Sequence, residues 1–426
     1  MKNDISPIQK KLLILGATTN EIDVVKIAQK MGFYVIVTDL HTEWNYSPAK
    51  YVANEAWNIS WSDIDELAKE CRRVEVNGVI AGFSEFRVEN MIKLCDTLHL
   101  PCYITHEQLE VTRDKKKFKE LCRKYGIQTV KEYTRDDSSM VYPVIIKPVD
   151  RAGSIGINVA YNESEYNAYL EQALELSPSK NVIIEEYIND GIKFNCMYEM
   201  HNGKIDYIDS CDTIMLSSDR GKEVLQKAWV LPSCFSHQFK EKYDFKFRKM
   251  LKEGIGMRDG YCDISCFYRG GELMVFEAGF RLTGEHSFDY QKEKYGRNHL
   301  ETIIYNAMNQ TITDDVIDVK PDLKSIIYNV FFMCPEGEIL DEIVGIDPFK
   351  ISENVITIVQ QQFKGFCFTN KPVKLLMFNV CADDIGIIKK LVNKINTSIR
   401  ITTLSGKYYT PYLVLTEEEI DVAFNR

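Results

Sequence analysis

The chain has 426 residues and a formal net charge of −10, and 45% of its residues are hydrophobic. This length is too great for a single hydrophobic core, so we expect two to four packed subdomains, and the composition excludes a disordered chain. The acidic balance argues against binding to the phosphate backbone of nucleic acids, because such binding requires clustered, uncompensated Lys and Arg residues.

The sequence carries no signal for export or membrane insertion. The apolar run before Gly16 is shorter than the hydrophobic region of a signal peptide, and about 18 consecutive apolar residues occur nowhere. The 12 cysteines are scattered, and none forms a C-x-x-C pair. We therefore expect a cytoplasmic protein with reduced thiols.

The segment Lys11–Tyr103 alternates short apolar runs with amphipathic stretches. The apolar runs are LLILG, YVIVTD and GVIAG, and helical patterns begin near Glu21 and cover about Ser62–Val74 and Glu85–Leu98. Such alternation predicts a parallel sheet covered by helices. Since ligands gather at the carboxyl ends of parallel strands, Gly16 and Asp39 are candidate substrate contacts. The alternative is that Gly16 only makes a turn and that Asp39 only caps the segment after it.

A lysine followed by a glycine-containing loop is the first candidate for phosphate binding. After a helical pattern over Asp114–Gly126, which starts a second domain, the apolar run PVII ends at Lys147 and leads into the loop RAGSIG. Backbone N–H groups and a serine hydroxyl in such a loop can surround phosphate oxygens. The alternative is an ordinary hairpin, because the loop matches neither a Walker motif nor a dinucleotide fingerprint.

Two adjacent acids on an apolar strand are the second candidate. After a predicted helix over Glu163–Leu176, the strand NVIIEEYI carries Glu185 and Glu186, which must point to opposite faces. A buried carboxylate needs a partner, and the amino group of a bound adenine is suitable. The alternative is a solvated pair of acids on an edge strand.

The third candidate lies on a predicted hairpin. The strands GYCDISCFY and ELMVFEAGF flank an R-G-G turn. Glu277 closes the second strand, and Arg281 and Glu285 follow at four-residue intervals. Acids at the ends of paired strands can hold Mg²⁺ against phosphates, and an arginine can neutralise a carboxylate or a developing phosphate charge. The alternative is a surface network of ion pairs.

The rest of the chain is rich in strand patterns. Residues Lys193–Val230 read as alternating strands. From about Asp322 onward, several short β-type runs surround one helix near Asp383–Ile395. This pattern predicts a small α+β domain that closes the site.

The order of these motifs resembles the ATP-grasp superfamily, in particular the organisation of biotin carboxylase and carbamoyl phosphate synthetase. The resemblance spans about Thr112–Ser287, with flanking segments that look like the neighbouring domains of that superfamily. It implies an α/β and α+β fold with three parts. These are a Rossmann-like domain (residues 1–111), an ATP-grasp nucleotide-binding domain (112–320, with a lid-type subdomain in 112–190) and a C-terminal α+β domain (321–426).

The resemblance also implies residue roles at the nucleotide. Lys115, which follows Asp114, and Lys147 would hold the α and β phosphates. The phosphate-covering loop would comprise Gly153, Ser154 and Gly156. At the base, the Glu185 side chain would receive the adenine amino group, while the backbone of Glu186 and Ile188 would pair with the ring.

At the reacting end, the resemblance assigns Glu277 to Mg²⁺ and Arg281 to the acyl phosphate and the tetrahedral intermediate. The run R-L-T-G-E-H, which ends at His286, is similar to a segment of biotin carboxylase in which the glutamate serves as a base. Glu285 is therefore a second catalytic candidate.

The sequence departs from the superfamily pattern at three places. Gly279 stands where a metal-binding Asn is usual, and Lys193 stands where an acid usually binds the ribose, which leaves Asp190 as a substitute. On the partner strand, Asp263 is the natural metal acid, but the spacing from Glu277 can place Ser265 there instead.

The implied function is an ATP-dependent carboxylate-amine ligase that forms an acyl phosphate from a small carboxylate, with an amino acid as the first candidate. The implied cofactors are ATP and Mg²⁺, with Mn²⁺ as a substitute. The expected partners are a small-molecule carboxylate and a nucleophile. Neither a nucleic acid nor a membrane is expected as a partner. If the chain self-associates, we expect a homodimer. The alternatives are a non-catalytic nucleotide-binding protein and a biotin-carboxylase-like enzyme that activates bicarbonate.

Overall fold

The computed structural model describes residues 9–149, 156–215, 225–310, 312 and 317–425. Two predicted residues of the phosphate-covering loop, Gly153 and Ser154, lie outside the described residues. All twelve cysteines are free, as predicted. Among the helices of the described ranges, none is long and apolar enough to cross a bilayer.

The described part of the chain folds into a series of strands and helices. The strands are β1 (Lys11–Leu15), β2 (Tyr34–Thr38), β3 (Glu55–Trp57), β4 (Gly78–Ala81), β5 (Glu132–Tyr133), β6 (Val144–Pro148), β7 (Asn158–Ala160), β8 (Val182–Glu186), β9 (Ile192–His201), β10 (Lys204–Met215), β11 (Gln226–Leu231), β12 (Gly260–Arg269), β13 (Glu272–Gly279), β14 (Lys324–Phe332), β15 (Leu340–Val344), β16 (Val355–Gln360), β17 (Val373–Ala382), β18 (Arg400–Thr403) and β19 (Tyr408–Tyr409). The helices are α1 (Thr19–Lys30), α2 (Ile64–Val74), α3 (Glu85–Leu98), α4 (His106–Arg113), α5 (Lys115–Lys124), α6 (Glu163–Leu176), α7 (Ser236–Lys242), α8 (Asp244–Lys249), α9 (Ser287–Tyr295), α10 (His299–Ala307), α11 (Asp347–Lys350), α12 (Ile385–Ser398) and α13 (Glu417–Phe424). Short 3₁₀ helices cover Trp44–Tyr46 and Pro48–Tyr51, and a π-helical turn covers Met250–Ile255.

The N-terminal sheet is parallel, as predicted. Its strand order is β3-β2-β1-β4, and β1 pairs with both β2 and β4. The strands are buried over nearly their whole length because helices cover the sheet, which explains why they read as continuous apolar runs. Helix α3 has the predicted bounds, and α2 begins two residues later than predicted.

The largest sheet has eight strands in the order β13-β12-β9-β10-β11-β14-β17-β16. The predicted hairpin is confirmed as β12 and β13. The strands after Asp322 divide between two sheets. Strands β14, β16 and β17 continue the central sheet, where β14 pairs with β11 at Ile326 opposite Val230, and β15, β18 and β19 form a separate three-stranded sheet. The division of the chain at residues 111 and 320 therefore stays a proposal, since a continuous sheet crosses the second boundary.

A smaller antiparallel sheet lies above this central sheet. Its order is β5-β8-β6-β7, and helix α6 packs on β6, β7 and β8. Helix α6 has the predicted bounds, and the side chain of Asn162 accepts a hydrogen bond from the Glu165 N–H as its N-cap. Strand β8, which carries Glu185 and Glu186, pairs on both sides. The alternative of two acids on an edge strand is therefore wrong.

Some helices lack the sequence pattern that would have predicted them. Helices α9 and α10 bury most of their residues on all sides, including polar ones such as Gln291, Lys294 and Thr302. A helix that is buried all round does not show a single apolar stripe. For this reason the two helices were not predicted from the sequence.

Candidate active site

A cavity of about 400 Å³ lies between the smaller sheet and one face of the central sheet. It brings together residues that were proposed from three separate sequence motifs. Nine predicted site residues line it: Lys115, Lys147, Glu185, Glu186, Ile188, Asp263, Glu277, Arg281 and Glu285. Among the described residues, Gly156 and Asp190 do not line this cavity.

The cavity floor is built by the register of the central sheet. Glu277 on β13 lies opposite Ser265 on β12, and Ser265 lies opposite Asn195 on β9. Residues directly opposite each other in an antiparallel pair point to the same face. The pairing of β12 with β13 shifts between Ser265 and Cys266, so that Phe276 is an extra residue on β13. This bulge leaves both Phe276 and Glu277 in the cavity wall.

The same register decides which side chain stands opposite Glu277. It is Ser265, while Asp263 lies opposite Gly279, two residues further along. The amide nitrogen of Asn195 donates to one Asp263 oxygen (2.7 Å) and to the Ser265 hydroxyl (2.8 Å). Asp263 therefore lines the cavity but is not the cross-strand partner of Glu277.

The second oxygen of Asp263 has no hydrogen-bond partner although the residue is buried. Burial raises the pKa of this carboxyl to about 7, against the opposing hydrogen bond from Asn195, and the charge of Glu285 adds to the increase. A buried carboxyl with a strongly raised pKa in the lining of a cavity is a common feature of functional sites.

Glu277 is ionised more readily than an isolated glutamate. Burial opposes its ionisation, but the positive charges of Lys115, Lys147, Lys193 and Arg281 outweigh this effect and lower its pKa. The ammonium of Lys115 lies 3.8 Å from a Glu277 oxygen. The cavity therefore combines a negative carboxylate with several cations around it, a set that suits a phosphate chain and a divalent cation.

The buried acid on β8 is neutralised by lysines. Glu185 is 1% exposed, and the ammonium of Lys147 lies 2.7 Å from one of its oxygens. Lys119 contacts the other oxygen and lies 2.9 Å from Glu132. The burial of Glu185 thus does not require a bound adenine amino group, and that contact stays a prediction.

Lys147 lies between the Glu185 carboxylate and the cavity. Burial lowers the pKa of its ammonium to about 7, against the opposing charge of Glu277, and the nearby lysines 119, 115 and 193 add to the decrease. Its ammonium also lies 5.5 Å from the centre of the Phe276 ring. A phosphate oxygen would favour the charged form of this lysine.

The predicted adenine contacts lie on and beyond the end of β8. The Glu186 N–H donates to the Lys131 carbonyl (3.0 Å), so this backbone donor is already used. Ile188 packs with Val130 and Phe276 in a small apolar cluster at the cavity wall. The Glu186 side chain pairs with Arg269 at 2.5 Å.

Asp190 also faces Arg269, at 3.5 Å, and its side chain is 66% exposed. The proposed substitute for a ribose-binding acid is therefore outside the cavity in this structure. Lys193, at the position where that acid is usual, lines the cavity instead.

The two residues predicted to be catalytic, Arg281 and Glu285, line the cavity. The Arg281 Nε lies 3.8 Å from an oxygen of Glu85, which begins α3. The Gln226 side chain donates to Glu285 at 3.2 Å. The cavity lining thus combines the Arg281 guanidinium with the carboxylates of Glu85 and Glu285, and it includes Trp229, whose buried indole nitrogen has no hydrogen-bond partner.

The two candidate contacts on the N-terminal sheet do not line the cavity. The Asp39 carboxylate accepts hydrogen bonds from the His41 N–H (3.0 Å) and the Ser47 hydroxyl (2.9 Å), so it organises the loop after β2, as the alternative interpretation proposed. Gly16 has a φ of +108°, and a Cβ there would collide with the Arg87 guanidinium. The positive φ, which L side chains rarely adopt, explains why glycine occupies position 16.

Several residues in or behind the cavity wall were missed from the sequence. Lys119 follows Lys115 by four residues, so a helical reading of Asp114–Gly126 places both on one face. Asn195 follows Lys193 by two residues, so a strand in this segment places both side chains on one face of the sheet. Trp229 carried no signal beyond a predicted strand.

A separate group of potential metal ligands occurs among the described residues. One ligand atom from each of Asp23, His286 and Asp289 lies within 4.8 Å of the others. His286 is fully buried, contacts Asp23 at 3.1 Å and stacks on Phe83. These contacts join α1 to the start of α9, so His286 is explained by packing between elements.

Comparison with protein families supports the fold. The family model described as D-ala D-ala ligase C-terminus matches residues 114–219. A formate-dependent phosphoribosylglycinamide formyltransferase from Sulfolobus acidocaldarius is 29% identical over 189 residues, which cover 42% of this chain and 47% of that protein. The chain spans about half or less of the length of the curated relatives it matches.

Solved structures cover nearly the whole chain. The L-amino acid ligase from Bacillus licheniformis has a TM-score of 0.76 at 16% identity, over 92% of this chain and 98% of that one. The biotin carboxylase domain of the Hydrogenobacter thermophilus 2-oxoglutarate carboxylase, solved with MgADP, ADP and bicarbonate, also has a TM-score of 0.76 at 16% identity, over 95% and 92%. The resemblance to the ATP-grasp superfamily and the mixed α/β and α+β fold are thereby confirmed.

The raised pKa of Asp263 leads to a prediction about stability. In the unfolded chain this carboxyl ionises near 3.8, whereas in the fold it keeps its proton up to about pH 7. Ionisation of Asp263 in the folded protein therefore lowers the free energy of unfolding as the pH rises from about 3.8 to about 7, and this loss is complete above pH 7. We expect Asp263→Asn to raise the unfolding temperature more at pH 8 than at pH 5, by an amount equivalent to roughly 1–4 kcal/mol.

This effect is measured by thermal unfolding of the nucleotide-free protein in a chelating buffer between pH 5 and pH 8. Glu336→Gln, which removes an exposed acid, is the control and should change stability little at either pH. Equal effects of Asp263→Asn at both ends of the pH range would contradict the raised pKa.

Proposed function

From the ATP-grasp fold, we propose that this chain is a cytoplasmic ATP-dependent ligase that activates a small carboxylate as an acyl phosphate for attack by an amine or another nucleophile. The observation that carries the proposal is the single cavity in which Lys115, Lys147, Glu277 and Arg281 meet. Phosphoryl transfer requires little covalent chemistry from a protein, because positioning and charge neutralisation lower most of the barrier.

Each of these residues has a chemical role in the proposal. Lys115 and Lys147 bind phosphate oxygens of ATP, and the ring is held beside Ile188. Arg281 binds the substrate carboxylate, whose oxygen attacks the γ-phosphorus while ADP leaves. The same guanidinium then stabilises the negative oxygen that develops when the nucleophile attacks the acyl phosphate and phosphate departs.

The residues present fit one magnesium ion held by a carboxylate. Glu277 is an ionised acid on the cavity floor, and its cross-strand neighbour Ser265 has only a hydroxyl to offer. Gly279 has no side chain to supply a further ligand. When bound, Mg²⁺ would neutralise the phosphate charges of the nucleotide. The MgADP in the Hydrogenobacter relative supports this cofactor pair.

The charges at the reacting end favour an amino acid as the carboxylate substrate. Arg281 suits the carboxylate, and Glu85 and Glu285 suit an ammonium group. The similarity to an L-amino acid ligase structure supports the same class. Glu285 stays a candidate for assisting proton transfer from the nucleophile.

Two alternatives are separated from this proposal by one assay. A non-catalytic nucleotide-binding protein is favoured by Gly279 and Lys193, which depart from the superfamily pattern. A bicarbonate-activating enzyme is favoured by the biotin carboxylase relative. Release of ADP from ATP and Mg²⁺, tested with amino acids and then with bicarbonate, distinguishes the three.

We expect Lys147→Ala to reduce substrate-dependent ADP release at least 10²-fold, or by roughly 2.7 kcal/mol in barrier terms, because it removes a positive charge from the phosphate site. Lys124→Ala changes an exposed lysine at the end of α5 and is the control. Circular dichroism establishes that both variants are folded. Near wild-type turnover in folded Lys147→Ala would show that this lysine does not contact phosphate.

Glu277→Gln should separate nucleotide binding from chemistry. It keeps the side-chain shape but removes the charge that anchors Mg²⁺, so ATP should still bind while ADP release falls at least 10²-fold. Glu272→Gln, at the exposed start of the same strand, is the matched control. Nucleotide affinity with and without Mg²⁺ is measured in parallel. If both variants turn over ATP equally, Glu277 does not hold the metal.

A further inference from the structure

Lys119 is a lysine without access to solvent. It lies on α5, one turn after Lys115, and its side chain is 0% exposed. An ammonium is buried in this way only when acids compensate the lost hydration. Two acids do so here, since Lys119 lies 2.9 Å from Glu132 and contacts Glu185 directly.

Glu185 is shared between two lysines of different exposure. One oxygen faces the fully buried Lys119, and the other lies 2.7 Å from Lys147, whose side chain is 12% exposed and reaches the cavity. Lys119 is absent from the cavity lining among the described residues. Only Lys147 can therefore turn from the acid toward a ligand in the cavity.

The movement of Lys147 has an electrostatic consequence. When its ammonium moves to a phosphate oxygen, the buried Glu185 carboxylate loses one of its two cations. Lys119 stays in place and keeps the carboxylate paired. Without Lys119, Lys147 would be the only lysine on Glu185, and its departure would leave a buried charge uncompensated, which is costly.

We propose that Lys119 is a positioning residue that keeps Glu185 neutralised, so that Lys147 is free to exchange between this acid and a phosphate oxygen of the nucleotide. The nucleotide part of this inference rests on the proposed function. The role is distinct from that of Lys115 and Lys147, because Lys119 acts through Glu185 and does not touch the ligand.

The first test measures the affinity for ATP with Mg²⁺ by calorimetry. Lys119→Met should weaken binding at least tenfold, because Glu185 then retains Lys147. Adding Glu185→Gln to this variant removes the competing charge and should restore the affinity to within about threefold of Glu185→Gln alone. Lys116→Met, an exposed lysine on the same helix, is the matched control and should bind like the wild type.

The second test does not involve a nucleotide. The rate at which Lys147 is acetylated by acetic anhydride, followed by mass spectrometry, reports how readily its amine becomes free. Lys119→Met should slow this labelling, because a nearby positive charge is lost and Glu185 holds the ammonium more firmly. The double variant should recover the wild-type rate, and Lys116→Met should not change it.

The outcomes separate this inference from the proposed function. Additive effects of the two substitutions, or an unchanged labelling rate in Lys119→Met, would overturn the positioning role. If Lys119→Met does not fold, Glu185→Gln is compared with the double variant, and unequal ATP affinities would overturn it. If the wild type binds no ATP but labelling of the wild type and the variants follows the expected pattern, the ligase proposal is overturned. The same result supports the pairing of Lys119 with Glu185.

Discussion

The antiparallel pairing of β12 with β13 is the constraint on which the candidate site depends. Its bulge adds Phe276 to β13 and places Glu277 opposite Ser265. A regular ladder continued from the turn would instead place Glu277 opposite Ile264, whose side chain belongs to the core. Because side chains alternate between faces, a shift of one residue would move Glu277 out of the cavity.

The cavity exists because two sheets face each other with charged residues between them. The smaller sheet contributes Lys147 and Glu185, and the central sheet contributes Asp263 and Glu277. The alternating residues on the opposite faces of these strands, such as Ile146 and Ile264, belong to apolar clusters. Placing these charges between the sheets costs stability unless they are paired, and the unsatisfied oxygen of Asp263 shows that part of this cost is retained. Such retained cost is expected where a ligand completes the pairing.

The candidate site carries more cations than carboxylates placed to hold a metal. Cations are abundant, since Lys115, Lys147, Lys193 and Arg281 all act on Glu277. Carboxylates at the positions suited to metals are scarce, because Ser265 occupies the place opposite Glu277. In the proposed mechanism, lysine and arginine side chains therefore compensate most of the phosphate charge. This balance is consistent with a single carboxylate-anchored magnesium ion in the proposed mechanism.

The sequence by itself determined the parallel N-terminal sheet, the hairpin, helices α3 and α6, and the lysine and acid motifs, because local periodicity and capping encode these features. It did not determine that β14, β16 and β17 extend the central sheet, or that Lys119 is buried against Glu185, because both depend on pairing between distant segments. The choice between Asp263 and Ser265 was open for the same reason. A bulge of one residue places Ser265 opposite Glu277, and the bulged residue Phe276 packs with Val130 and Ile188 from distant segments of the chain, which local sequence patterns do not encode.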